Sequence, residues 1–273
     1  MNDKNTELIL SVIILGLMVL SAAGGLLVDS LYQDNPFVRA VWRGNDLVTL
    51  FVAVPLLLIA LVLARRGSRR AGLIRLGMLD YALYNFAFYL FAAAFNAMFL
   101  FYVLLVALSI FALIYGLSDL DVAAVKASFR ERTPVRWIAG LMIFIASGLT
   151  TIYVMQWLNF ILSGQIPDII PKTDHPTNIV PALDLTLLVP WMVVGGIWLW
   201  RKRPWGYVIA AVILPKGAVY TLALGVAGWS AVQAGFPESA AELPLWFALS
   251  AGQTLSSFAL LRNFRWKGRQ PVP

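Results

Sequence analysis

The sequence predicts an all-α integral membrane protein of eight transmembrane helices, arranged as two tandem parallel four-helix repeats. Three observations predict it: an apolar composition, eight hydrophobic stretches of crossing length, and a second half that restates the first. Of 273 residues, 60% are hydrophobic and 13% charged, whereas an average soluble domain has roughly 45–50% and about 25%. No aqueous core of that size accommodates so many apolar side chains, and a bilayer is the natural solvent.

Crossing roughly 30 Å of hydrocarbon takes about 20 apolar residues in a helix. Stretches of that kind lie at 8–28, 47–64, 72–95, 97–117, 137–162, 184–200, 206–230 and 244–261. The leader MNDKNTE carries two acids and one lysine ahead of the first stretch, which is longer than a signal-peptide core and reads as a helix.

The connections alternate in charge. Arg65, Arg66, Arg69, Arg70 and Arg75 follow the second span, Arg201, Lys202 and Arg203 the sixth, and Arg262, Arg265, Lys267 and Arg269 the eighth. Segment 119–136 adds Lys126, Arg130, Arg132 and Arg136 against three acids, and its DLDVAAVKASFRER reads as a short amphipathic interfacial helix. The opposite loops, 29–46, 163–183 and 231–243, sum to a charge of minus four. By the positive-inside rule the basic loops and both termini are cytoplasmic. That accounts for the +7 formal charge without nucleic acid, since no basic stripe is interleaved with stacking aromatics.

The internal repeat is readable in register. GLMVLSAAG at Gly16–Gly24 returns as GLMIFIASG at Gly140–Gly148, and DLVTLFVAVP at Asp46–Pro55 returns, shortened, as DLTLLVP at Asp184–Pro190. Asp80 lies 15 residues after Arg65, as Lys216 does after Arg201, and Tyr84 and Tyr220 each follow four later. SIFALI at Ser109 matches SSFALL at Ser256. The units are 1–118, a cytoplasmic linker 119–136, and 137–273. Four helices per unit is an even number, so the halves share a direction and are related about the membrane normal, with any site expected where they meet.

Inside the spans, three ionisable residues lie away from the ends. Asp184, like its counterpart Asp46, reads as a cap where a span begins. Asp80 and Lys216 fall about 15 Å beyond their basic turns, near the bilayer centre, where each alone would cost roughly 2.5–3.5 kcal/mol. Opposite signs at equivalent positions predict that they pair, or share one water or ligand, as a structural clasp or as part of a binding site. Tyr84, Asn85, Tyr220, Gln156 and Gln253 supply polar company, although such side chains also glue helices together.

Catalytic signals are few. In the outer loop, Asp174 and His175 are candidates for an acid and a base, against the reading of His175 as a solvated loop residue. There is no rhomboid-type Ser/His signature, membrane-hydrolase histidine cluster or Walker motif. With no cysteine and one histidine, neither a metal centre nor another cofactor is expected.

The stretch from Asp184 to Leu224, with DLTLLVP, the RKRPWGY turn and LPKGAVYTLAL, resembles a family of uncharacterised bacterial polytopic inner-membrane proteins, as does YNFAFYLFAAAFNAMFLFYVLLVALS. The resemblance implies an inner-membrane address and brings no activity with it. The sequence thus points to transport, or to binding of a small molecule or lipid between the halves. The alternatives are a membrane enzyme acting on a lipid-linked substrate at the outer face and an accessory subunit of an oligomer or membrane complex.

Overall fold

The computed structural model describes residues 3–265, and among these it is built from helices, without a strand. Lys267 and Arg269, assigned above to the cytoplasmic tail, lie outside the described residues. Eight long helical runs follow the eight hydrophobic stretches. They are α1 (Asp3–Leu27), α2 with α3 (Pro36–Val48 and Val54–Arg65), α4 (Arg69–Ala92), α5 (Phe99–Ser118), α7 (Val135–Ser163), α9 with α10 (Ile179–Leu183 and Val189–Trp200), α11 (Pro204–Gln233) and α12 (Leu243–Leu261). Two short helices, α6 (Val122–Ala127) and α8 (Ile169–Thr173), lie in the connections.

Six of the runs are long and apolar enough to cross a membrane, which points to a membrane protein. The other two, α4 and α12, have 24 and 19 residues but more polar faces. Arg69, Arg70, Arg75 and Asp80 lie on α4, and Gln253, Thr254, Ser256 and Ser257 on α12. α4 still runs the length of the bundle. At one end Arg70 donates to the Phe264 carbonyl beyond α12 and Arg75 meets Glu7 of α1 at 2.5 Å. At the other, the loop at Asp34 accepts from the Ala94 amide just past α4. Large apolar side chains stay exposed along the outside, among them Ile9, Leu58, Phe111, Phe144 and Leu255, as lipid-facing surfaces do.

Two runs begin earlier than the hydropathy pattern predicts. α2 starts at Pro36, where the Asn35 side chain accepts from the Val38 amide and the proline takes a position whose N–H has no helical partner. α9 starts at Ile179. Asp46 and Asp184 are therefore inside helices, and neither caps one. Each run then loosens into a π-helical turn, Thr49–Ala53 and Asp184–Leu188. There the Val54 and Val189 amides reach back five residues, to the Thr49 and Asp184 carbonyls. Pro55 and Pro190 follow immediately; a proline disrupts the ordinary four-residue ladder, and the wider turn absorbs that disruption.

At the centre, α4 lies against α11, with Gly77 close to the Val212 carbonyl. α2 also packs along α11. A Cβ added at Gly44 would come within 2.5 Å of the Ala227 Cα, so only glycine lets these backbones approach. We expect Gly44→Ala to lower stability by about 1–3 kcal/mol, the usual cost of overpacking, seen as a fall in melting temperature in detergent. Gly16→Ala, at a position with nothing within 4 Å, should leave it unchanged.

Candidate functional site

The polar interior is organised around α4, whose Asp80, Tyr81, Tyr84, Asn85 and Tyr89 face two neighbours. Toward α2, Tyr81 shares a 2.8 Å hydrogen bond with Thr49, and Asn85 accepts from Asn45 at 2.9 Å. On the same side Tyr89 donates to Asp46 at 2.8 Å, and Tyr32 donates to the other carboxylate oxygen at 2.5 Å. Toward α9, Tyr84 donates to Asp184 at 2.5 Å, and Tyr153 of α7 donates to its second oxygen, also at 2.5 Å. Two aspartates, 1% and 4% exposed, are thus each held by two phenols, and α4 supplies one phenol to each.

Lys216, on α11 directly after Pro215, is 1% exposed. Its Nζ sits 3.7 Å from the centroid of the Tyr84 ring and 5.8 Å from that of Tyr220, and the two rings meet edge to face. Asp80 and Asp184 both interact with it electrostatically, yet among the described residues no carboxylate lies within 4 Å of its ammonium. The direct ion pair expected between Asp80 and Lys216 is therefore absent. The physical reason is placement: the lysine Nζ lies over the Tyr84 ring and not against a carboxylate. A cation over an aromatic ring recovers about 2 kcal/mol when desolvated, less than the roughly 2.5–3.5 kcal/mol cost of burial.

The other expected residues separate into distinct places. Tyr84 and Tyr220 touch Lys216, and Asn85 belongs to the α2 side. Gln253 of α12 donates to Thr221 at 3.3 Å on α11, and its carbonyl oxygen occupies the space a side chain at Gly217 would need. Gln156 accepts from Asn178 at 3.4 Å and lines a cavity of about 630 Å³ between α7 and the following loop. Its wall is mostly apolar, with Trp157, Phe160, Ile166, Ile170 and Leu185, but Tyr153 also belongs to it. One phenol therefore separates this cavity from Asp184.

Asp174 and His175 do not form a dyad. The Asp174 carboxylate accepts from Asn35 at 2.9 Å, whereas His175 lies beside the Ala92 carbonyl and its Nε2 is enclosed without a partner. The loop folds onto the ends of α2 and α4, tied also by Lys172 to Glu238 at 2.8 Å, so the histidine is half-buried where solvation was expected. Among the described residues no group of three metal-ligating side chains assembles.

Sequence reading missed the clamped aspartates as a motif and did not single out Tyr32, Tyr89, Asn45 or Thr49. The repeated Asp-Leu start of DLVTLFVAVP and DLTLLVP was the one signal that marked them.

Burial lowers the His175 pKa, with Asp34, the Ala92 carbonyl and Asp174 opposing it. The folded loop therefore binds fewer protons than the released one, so its docking is complete above the ordinary histidine pKa of about 6.5 and weakens as pH falls below it. Hydrogen-exchange protection factors across 164–178, taken relative to the intrinsic rate at each pH, should fall as pH drops from 7.5 to 5.5, and His175→Phe should abolish that fall.

A buried lysine without a contacting carboxylate costs stability. Lys216→Met should leave the melting temperature unchanged or raised. Asp184→Asn, which weakens two charge-assisted bonds of about 1.5–3 kcal/mol each, should lower it. An equal fall in both variants would make Lys216 a clasp.

Set against known protein families, curated proteins and solved structures, the chain matches none.

Proposed function

We propose that this chain is a bacterial inner-membrane protein that binds, and carries across the membrane, a small amphipathic molecule at the polar seam around α4 and α11. The observation that supports this most is Lys216: a buried ammonium that interacts electrostatically with Asp80 and Asp184 and has neither carboxylate within 4 Å. An arrangement that only held helices together would be expected to close the ion pair, because an uncompensated charge lowers stability. A ligand's polar group, or a water, completes the site in this reading. The apolar body of the ligand takes the cavity of about 630 Å³, and Tyr153 and Asp184 connect that cavity to the lysine.

The topology belongs to the same proposal. α4 and α12 cross with the six apolar helices, making eight passes with both termini cytoplasmic and loops 29–35, 164–178 and 234–242 outside. Residues 1–118 and 137–273 are tandem four-helix repeats joined by the linker at 119–136. The two π-helical turns, each followed by a proline and each close to a phenol-clamped aspartate, support the duplication.

The test is a melting-temperature screen of purified protein against small amphipathic amines, carboxylates and neutral compounds. A compound that stabilises the wild type should fail with Leu185→Trp, which fills the cavity, and with Asp184→Asn. Uptake of that compound into proteoliposomes would establish carriage. Stabilisation indifferent to both substitutions would sink the reading. Thr173→Cys in this cysteine-free chain should label with an impermeant reagent in intact cells, and Arg201→Cys should not.

A further inference from the structure

We infer that a second cavity, between α2 and α11, is a binding site for the phosphate headgroup and one acyl chain of an anionic glycerophospholipid. This cavity, about 620 Å³, is lined on one wall by Arg39, Arg43 and Leu47 and on the other by Gln233, Ser230 and Trp229. It lies at the end of the bundle opposite the basic loops and is separate from the cavity at Tyr153. The inference rests on the membrane placement proposed above and is independent of the amphipathic ligand.

Two features select the occupant. First, Arg39, Arg43 and Leu47 are four residues apart on α2, so they form one stripe descending about 12 Å toward the bilayer centre. The cavity is therefore cationic at the water-facing level and apolar below, where Leu47 and Trp229 are 39% and 53% exposed. A soluble anion would use only the upper part, whereas a phospholipid uses both. Second, the charge is available. Arg43 is paired with Asp29, but the Arg39 side chain has no ion pair or hydrogen bond among the described residues. A planar guanidinium suits a phosphate oxygen pair. Arginines facing outward also run against the positive-inside rule, so topology gives no reason for them.

Thermal unfolding in detergent micelles with added dioleoylphosphatidylglycerol, against the same amount of dioleoylphosphatidylcholine, tests the site. The anionic lipid should raise the melting temperature by several degrees more than the zwitterionic one. Arg39→Gln/Arg43→Gln should erase that difference, and Arg65→Gln/Arg66→Gln, exposed at the opposite end, should keep it. Should the double variant fold poorly, Arg39→Gln alone, whose side chain holds nothing in place, should reduce the difference. Equal stabilisation by both lipids overturns the proposal, as does persistence of the difference without the two arginines or its loss in the Arg65/Arg66 control. Reproduction of the effect by inorganic phosphate or glycerol phosphate also overturns it, since the occupant would then be a soluble anion.

Discussion

Carboxylates buried in an apolar bundle must be given hydrogen-bond donors, and the position of α4 follows from that requirement. Asp46 and Asp184 each take two phenol hydroxyls, which satisfies one acceptor position on every carboxylate oxygen. One phenol of each pair comes from α4, five residues apart at Tyr84 and Tyr89. α4 is thereby held between the α2 run and the α9 run, with α11 behind it. The donors for both sites add to the polarity that Arg69, Arg70, Arg75 and Asp80 already give this helix.

The π-helical turns belong to the same constraint. A proline removes one backbone donor, and a buried run cannot leave the corresponding carbonyl to water. Widening the turn reroutes the bonding, with Val54 and Val189 reaching back five residues. It also changes the angular phase of the residues before it, so that Asp184, at the start of its turn, and Asp46, three residues ahead of the other, face inward. These irregular turns sit beside buried polar groups, where such turns are frequent.

What was legible in the sequence follows this division. The hydrophobic stretches became helices because length and apolarity act locally. The starts at Pro36 and Ile179 were not legible, because Asn45, Asp46 and Asp184 read as surface residues until tyrosines far along the chain are brought to them. Tyr32 is 14 residues from Asp46, but Tyr84 is 100 residues from Asp184, and no periodicity encodes such a distance. Asp80 and Lys216 were found because an ionisable residue at mid-span is conspicuous by itself. Their separation was not, since the sequence does not say that a lysine stem will lie across tyrosine rings.

Each clamped aspartate is also one phenol away from open space: Tyr153 lines one cavity and Tyr32 the other. On the duplication reading, these are related sites that have diverged. On the Asp46 side, α2 and α11 meet closely at Gly44 and Ala227, and the cavity keeps two arginines. On the Asp184 side, α7 touches α12 only slightly while α1 packs along α5. That looser half leaves Tyr153 beside a mostly apolar cavity and sets Lys216 within electrostatic reach of Asp184. The two carboxylate–phenol arrangements thus face different chemistry: an arginine without an ion pair lies in the cavity beside one, and a buried lysine without a contacting carboxylate lies beside the other.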